Sequence, residues 1–141
     1  MIKFNPTTLD DQPEILRWSL ADPYHSSNAV IDGPGWWLTG ADCLQAFCAE
    51  DDAGPVMYVR LDQEDNLIRM HIQYAPESEV DKSRVIETMK IGLLTISIWA
   101  KELGNKGLIF ESTSPSLIKF CLKLGFMPAD RDNVNDYVLV F

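Results

Sequence analysis

Apolar positions along the 141-residue chain change their period several times, and each change marks a predicted element. Ile2, Lys3 and Phe4 alternate ahead of Asn5-Pro6, which predicts a short strand and a stop. Over residues 8–20, Ile15, Leu16 and Leu20 share one helical face; Thr8 with Asp11 three residues on resembles a capping box, and Pro13 sits in a first turn. Residues 21–28 read as a loop or broken short helix, and Gly33-Pro34-Gly35 as a hard turn before Trp36-Trp37-Leu38. Strands follow at 44–49, 56–61 and 67–74, the last with Ile68, Met70, Ile72 and Tyr74 on one face; short acidic turns at 51–54 and 62–66 join them into an antiparallel meander. Residues 83–103 form the longest predicted helix, with Val85, Met89, Leu93, Ile96, Ala100 and Leu103 at three- and four-residue steps and Gly104 as the stop. Its apolar surface also takes in Ile86, Ile91, Leu94, Ile98 and Trp99, so both flanks are expected to be covered, with Asp81 or Ser83 as the cap. A strand at 107–111, a helix at 115–124 ending at Gly125, and a hairpin from Phe126 that returns over 137–141 complete the order. That order predicts one mixed α/β (α+β) domain over residues 1–141, its largely antiparallel central sheet flanked by helices.

Composition narrows the class. With 46% hydrophobic and 23% charged residues the chain is an ordinary globular one, no stretch approaches the roughly 18 apolar residues of a membrane span, and the N-terminus lacks the apolar run of a secretory signal. A net charge of −9 argues against nucleic acid and anionic lipid as partners. The acidity is uneven: residues 1–54 hold nine acids against Lys3 and Arg17, whereas residues 55–141 hold twelve acids and ten bases. This first third is either a solvated face or a surface that meets a cationic amine substrate or a basic protein partner. Three cysteines, Cys43, Cys48 and Cys121, form no CxxC pair, which points to reduced thiols and a cytoplasmic setting. His25 and His71 stand at no zinc-like spacing from them, so no metal site is expected.

The segment Ser114-Pro-Ser-Leu-Ile-Lys-Phe-Cys-Leu-Lys-Leu-Gly-Phe126 resembles the penultimate-helix motif of the GNAT (GCN5-related N-acetyltransferase) superfamily, and the element order around it is similar too. The chain has the look of the small diverged members found in phage genomes. The resemblance implies acetyl-CoA as acyl donor, held against the splayed end of the 67–74 strand at Tyr74, with its pyrophosphate at the start of the long helix. Family members build that start from glycines, because bare backbone amides and the positive helix end close on phosphate. Here the segment is Glu77-Ser-Glu-Val-Asp81-Lys82-Ser83-Arg84-Val85, without glycine; Lys82, Ser83 and Arg84 are the groups left to meet a phosphate. The family's cofactor-contacting Asn corresponds to Ser114, and its general-acid Tyr to Cys121.

His71 is the candidate general base, since an imidazole near pKa 6.5 takes a proton from an ammonium directly or through water. Its other reading is a solvated or cross-strand partner. Tyr24 and His25 fall in the loop expected to line the acceptor side, and Trp37 is the candidate aromatic wall, one of Trp36 and Trp37 being buried and the other exposed if both lie in a strand. Two functions follow: an acetyl-CoA-dependent N-acyltransferase acting on an amine of a small molecule or protein, or a catalytically inactive GNAT-fold module that binds a basic partner through its acidic face.

Overall fold

The alternation along the middle strands builds a sheet whose two faces differ in chemistry. The computed structural model describes residues 1–25, 33–38 and 40–141. Its strands are β1 (Lys3–Pro6), β2 (Cys43–Asp51), β3 (Gly54–Glu64), β4 (Leu67–Tyr74), β5 (Gly107–Glu111), β6 (Met127–Pro128) and β7 (Asp136–Val140), and its helices are α1 (Gln12–Ala21), α2 (Lys82–Glu102) and α3 (Pro115–Lys123). Among the described residues the strands form one sheet in the order β1-β2-β3-β4-β5-β7-β6. Every neighbouring pair is antiparallel except β4 and β5, which α2 joins as a crossover.

Register decides the faces. Tyr58 lies opposite Gln73, Arg60 opposite His71 and Asp62 opposite Arg69, so one face of β3 and β4 is polar. The alternate positions pair Met57 with Tyr74, Val59 with Ile72 and Leu61 with Met70. α2 covers this apolar face through Met89, Leu93 and Ile96, all buried in the main core. α1 lies over the polar face, with Trp18 against Tyr58 at 5.0 Å and Ser19 Oγ bonded to Gln73 Oε1 at 3.1 Å.

The two 67–74 and 107–111 strands stand as their patterns predict, and β2 and β3 are longer than predicted. Asp62, Gln63 and Glu64 read as a turn because they are polar; they pair instead with Arg69, Ile68 and Leu67, and only Asp65 and Asn66 turn, Asp65 at φ 54°. Trp36 and Trp37 do not lie in a strand. Pro34–Leu38 is a 3₁₀ turn opened by a Trp36 N–H bond to the Gly33 carbonyl at 3.4 Å, and the two indoles pack edge to face 5.2 Å apart. The long helix is also less covered than its width predicts, for Ile91, Leu94 and Ile98 remain exposed. Residues 26–28 of the loop predicted over 21–28 lie outside the described residues. Among the described residues no helix is long and apolar enough to cross a membrane, and no group of three metal-ligating side chains occurs.

Two substitutions probe this packing. Gly107 opens β5 against β7, and a Cβ there would collide with the Leu139 carbonyl oxygen. Gly107→Ala is therefore expected to destabilise by about 1–3 kcal/mol, read from urea unfolding. Thr88 on α2 is fully buried and its hydroxyl has no hydrogen-bond partner among the described residues, beside a void of only about 10 Å³. Thr88→Val keeps the shape and removes the orphan hydroxyl, so it is expected to raise stability by about 1 kcal/mol.

Candidate active site

The parallel ladder between β4 and β5 is short. It runs through Leu67↔Gly107 and Ile68↔Leu108 and ends at Arg69↔Ile109, while β4 continues to Tyr74 and β5 to Glu111. The strands separate there and open a cleft of about 580 Å³. Residues 70–74 thus present a strand edge with no ladder partner on that side among the described residues. Tyr24, His25, Trp36, Trp37, His71 and Tyr74 all line this cleft.

His71 is half-buried in its wall. Its Nε2 lies 3.0 Å from Asp62 Oδ2, and a carboxylate only accepts, so the ring proton sits on Nε2. Nδ1 then keeps its lone pair, with no hydrogen-bond partner among the described residues. Trp36 meets the imidazole edge to face at 4.8 Å, and Arg60 lies 4.1 Å from the Trp36 ring centroid. Arg60 also bonds Asp62 Oδ1 at 2.8 Å and donates to the Trp36 carbonyl. Burial pushes the His71 pKa below that of an ordinary imidazole; Asp62 pulls the other way without cancelling it, and Arg60 and Arg69 add to the lowering. The result is a neutral, oriented imidazole at pH 7.

A second histidine stands near it. His25 Nδ1 lies 3.1 Å from Gln73 Oε1 and 3.3 Å from Asp22 Oδ2, while the buried Gln73 amide donates to Asp22 at 3.0 Å. Asp22, Ser19, Gln73 and His25 therefore lock the end of α1 to β4 beneath the cleft. Tyr24 is exposed at its mouth and Trp37 is buried in its wall.

No family model matches the sequence, and no curated protein matches it. Solved structures do. The PaiA N-acetyltransferase of Thermoplasma acidophilum, solved with coenzyme A, superposes over 100% of this chain and 99% of its own at 15% identity and a TM-score of 0.67. An acetyltransferase of the GNAT family from Staphylococcus aureus covers 99% of both chains at 11% identity and TM-score 0.68. The chain has the GNAT fold. A chimera of the spermidine N-acetyltransferase SpeG from Vibrio cholerae and hSSAT is a further neighbour, covering 99% of this chain and 95% of its own at 13% identity and TM-score 0.64.

Within this GNAT fold the remaining predicted site residues are dispersed. Tyr74 reaches the cleft from the apolar face, where its hydroxyl meets Met89 Sδ at 3.4 Å and burial raises its pKa. Lys82, Ser83 and Arg84 stand at the α2 N-terminus, outside the cleft lining. Ser83 Oγ donates to Asp81 at 2.6 Å, and Arg84 forms a two-pronged pair with Asp51 at 2.7 Å. Ser114 caps α3, its Oγ accepting from the Leu117 N–H at 3.5 Å. Cys121 is buried on the inner side of α3, outside the cleft lining, and burial pushes its thiol up to about 12. That placement is a packing position on the apolar face of α3. The free β4 edge at residues 70–74 offers backbone partners to an extended amide chain, and the α2 N-terminus lies outside the cleft lining. The acidic first third is also less free than its charge suggests, since Asp11 bonds Tyr58, Glu14 bonds Arg17 and Trp18, and Asp51 bonds Arg84.

Asp62, Arg60 and Gln73 are site residues that the sequence pattern does not single out. A signal existed: Tyr58, Arg60 and Asp62 alternate with the apolar Met57, Val59 and Leu61.

Proposed function

We propose that the chain is an acyl-CoA-dependent N-acyltransferase that moves an acyl group from a pantetheine thioester to a cationic amine. The observation that carries this reading is the Asp62–His71 pair in the wall of the cleft where β4 leaves β5. The same pair favours it over the binding-module reading, which needs no oriented imidazole in a cleft. A bound acyl thioester supplies an activated carbonyl whose C–S bond breaks as the C–N bond forms, releasing a thiol. His71 Nδ1 takes the proton that the ammonium loses to become a nucleophile, the second N–H proton passes to solvent as the amide forms, Asp62 steadies the imidazolium through Nε2–H, and Trp36 screens the ring from water. The released sulfur takes its proton from solvent, because Cys121 faces the core.

The cationic class of acceptor is supported by the −9 net charge, by Glu111 in the cleft lining, and by the spermidine N-acetyltransferase among the structural neighbours. A cytoplasmic setting belongs to the same proposal, since all three cysteines are free thiols. The test is thiol release from acetyl-CoA with a panel of polyamines, neutral amines and amine-bearing peptides, alongside thermal melting with acetyl-CoA. Turnover with the cationic members and a melting shift of several degrees at a hundredfold excess over Kd are expected. No thiol release with any amine, together with an unchanged melting temperature, would overturn the proposal.

A further inference from the structure

In the link from β4 to α2, several of the groups that could seat a diphosphate are already bonded within the chain. Ala75 N–H bonds the Val56 carbonyl at 3.0 Å, and the Glu79 and Val80 N–H groups both turn back to the Pro76 carbonyl at 2.9 and 3.2 Å. Val80 is buried in the core, which pins this turn. Asp81 then caps α2: its Oδ1 accepts from the Arg84 N–H at 3.0 Å and from Ser83 Oγ at 2.6 Å, and its carbonyl accepts from the Val85 N–H at 3.3 Å. The positive end of the helix therefore meets a carboxylate supplied by the chain itself.

The local cations are similarly committed. Arg84 is paired with Asp51, and Arg17 bonds both oxygens of Glu79 at 2.6 and 2.8 Å, leaving Lys82 as the exposed base among Glu77, Glu79 and Asp81. An incoming diphosphate would have to displace Asp81 from the Arg84 amide in a segment that also carries Glu77 and Glu79. Removing an anion to admit another returns little free energy. The cleft and the open β4 edge present no such conflict to an uncharged arm.

We infer that this chain recognises its donor through the pantetheine arm and acyl group alone, with Asp81 closing the diphosphate seat, so that pantetheine thioesters serve whether or not they carry a nucleotide. This rests on the acyl-thioester reading above. Asp81 is then a specificity-determining residue, because it sets which part of the donor contributes binding.

Calorimetry on the full chain tests this with three probes: coenzyme A, pantetheine, and adenosine 3′,5′-bisphosphate, the nucleotide half alone. Coenzyme A and pantetheine are expected to bind within about threefold of each other, with weak dependence on salt, and the bisphosphate is expected to give no heat at millimolar concentration. Asp81→Ala frees the α2 amides and should tighten coenzyme A about tenfold, roughly the worth of one charge-assisted hydrogen bond, while leaving pantetheine unchanged. Asp81→Ser keeps a capping oxygen without the charge, and should move coenzyme A in the same direction even if the alanine variant melts early. Pantetheine binding a hundredfold weaker than coenzyme A, or measurable binding of the bisphosphate, would overturn the inference. Binding of neither coenzyme A nor pantetheine would instead bring down the acyl-thioester reading beneath it.

Discussion

Replacing His71 with glutamine is expected to lower kcat/KM for amine acylation by about 10²- to 10³-fold near pH 7, the usual worth of a positioned general base. Glutamine still offers Asp62 a hydrogen-bond donor, so the loss reports the missing lone pair rather than a collapsed wall. The pH profile separates the two further. Burial holds the His71 pKa below 6.5, so the wild-type acid limb should have its midpoint below 6.5 and reach a plateau at neutral pH. In His71→Gln that limb should vanish. Asp62→Asn removes the carboxylate that raises the His71 pKa, so the limb should move to still lower pH while the plateau drops about tenfold, the imidazolium having lost its stabilising anion. An unchanged limb in both variants would remove His71 from the mechanism. The same shift has a sign in stability. The unfolded chain binds the His71 proton more readily than the fold does, so ΔG of unfolding falls as pH drops through the window between the two pKa values.

Much of this geometry is legible in the pattern of residues, and the remainder is not, for identifiable reasons. Strand β4 and strand β5 stand where alternation and a short apolar run put them, because packing on a sheet face imposes a period of two on any sequence that fills it. His71 could be assigned to the polar face of β4 on that ground alone. Its partner could not be found the same way: Asp62 lies nine residues earlier and reads as turn composition, and only the register of β3 against β4 brings the two side chains together. Trp36 and Trp37 mislead for the opposite reason. Aromatic residues favour strands, but Gly33 at φ 70° and the fixed φ of Pro34 wind the segment into a 3₁₀ turn first. At the α2 N-terminus the absence of glycine and a cap at Asp81 or Ser83 are plain in the sequence, whereas the locking of Arg84 by Asp51 depends on the end of β2, 33 residues away.

Asp136→Ala is expected to cost about 3 kcal/mol of folding stability, the low end of the penalty for breaking a buried ion pair, since Glu64 still holds Arg69. Asp136 is 4% exposed and sits on β7, where both of its oxygens accept from Arg69 of β4 at 3.0 Å. The other side of the same guanidinium holds Glu64 of β3 at 2.8 and 3.0 Å. One side chain thus ties three strands together at Arg69↔Ile109, the last rung before β4 and β5 part. Removing Asp136 strips Arg69 of half its partners in a place water reaches poorly. For a domain of this length the melting temperature should fall by about 10 °C. The double variant Arg69→Met with Asp136→Leu should recover most of that, because it removes both charges and fills their space. Arg131→Ala provides the contrast: it breaks a pair with Glu64 in which both side chains are about a third or more exposed, and it should cost less than about 1 kcal/mol. A loss below 1 kcal/mol for Asp136→Ala would show that the clamp is not what fixes this corner of the sheet. If the clamp does fix it, the single variant should also bind pantetheine more weakly at temperatures where it remains folded, since the angle at which the cleft opens is set at the rung Arg69 holds.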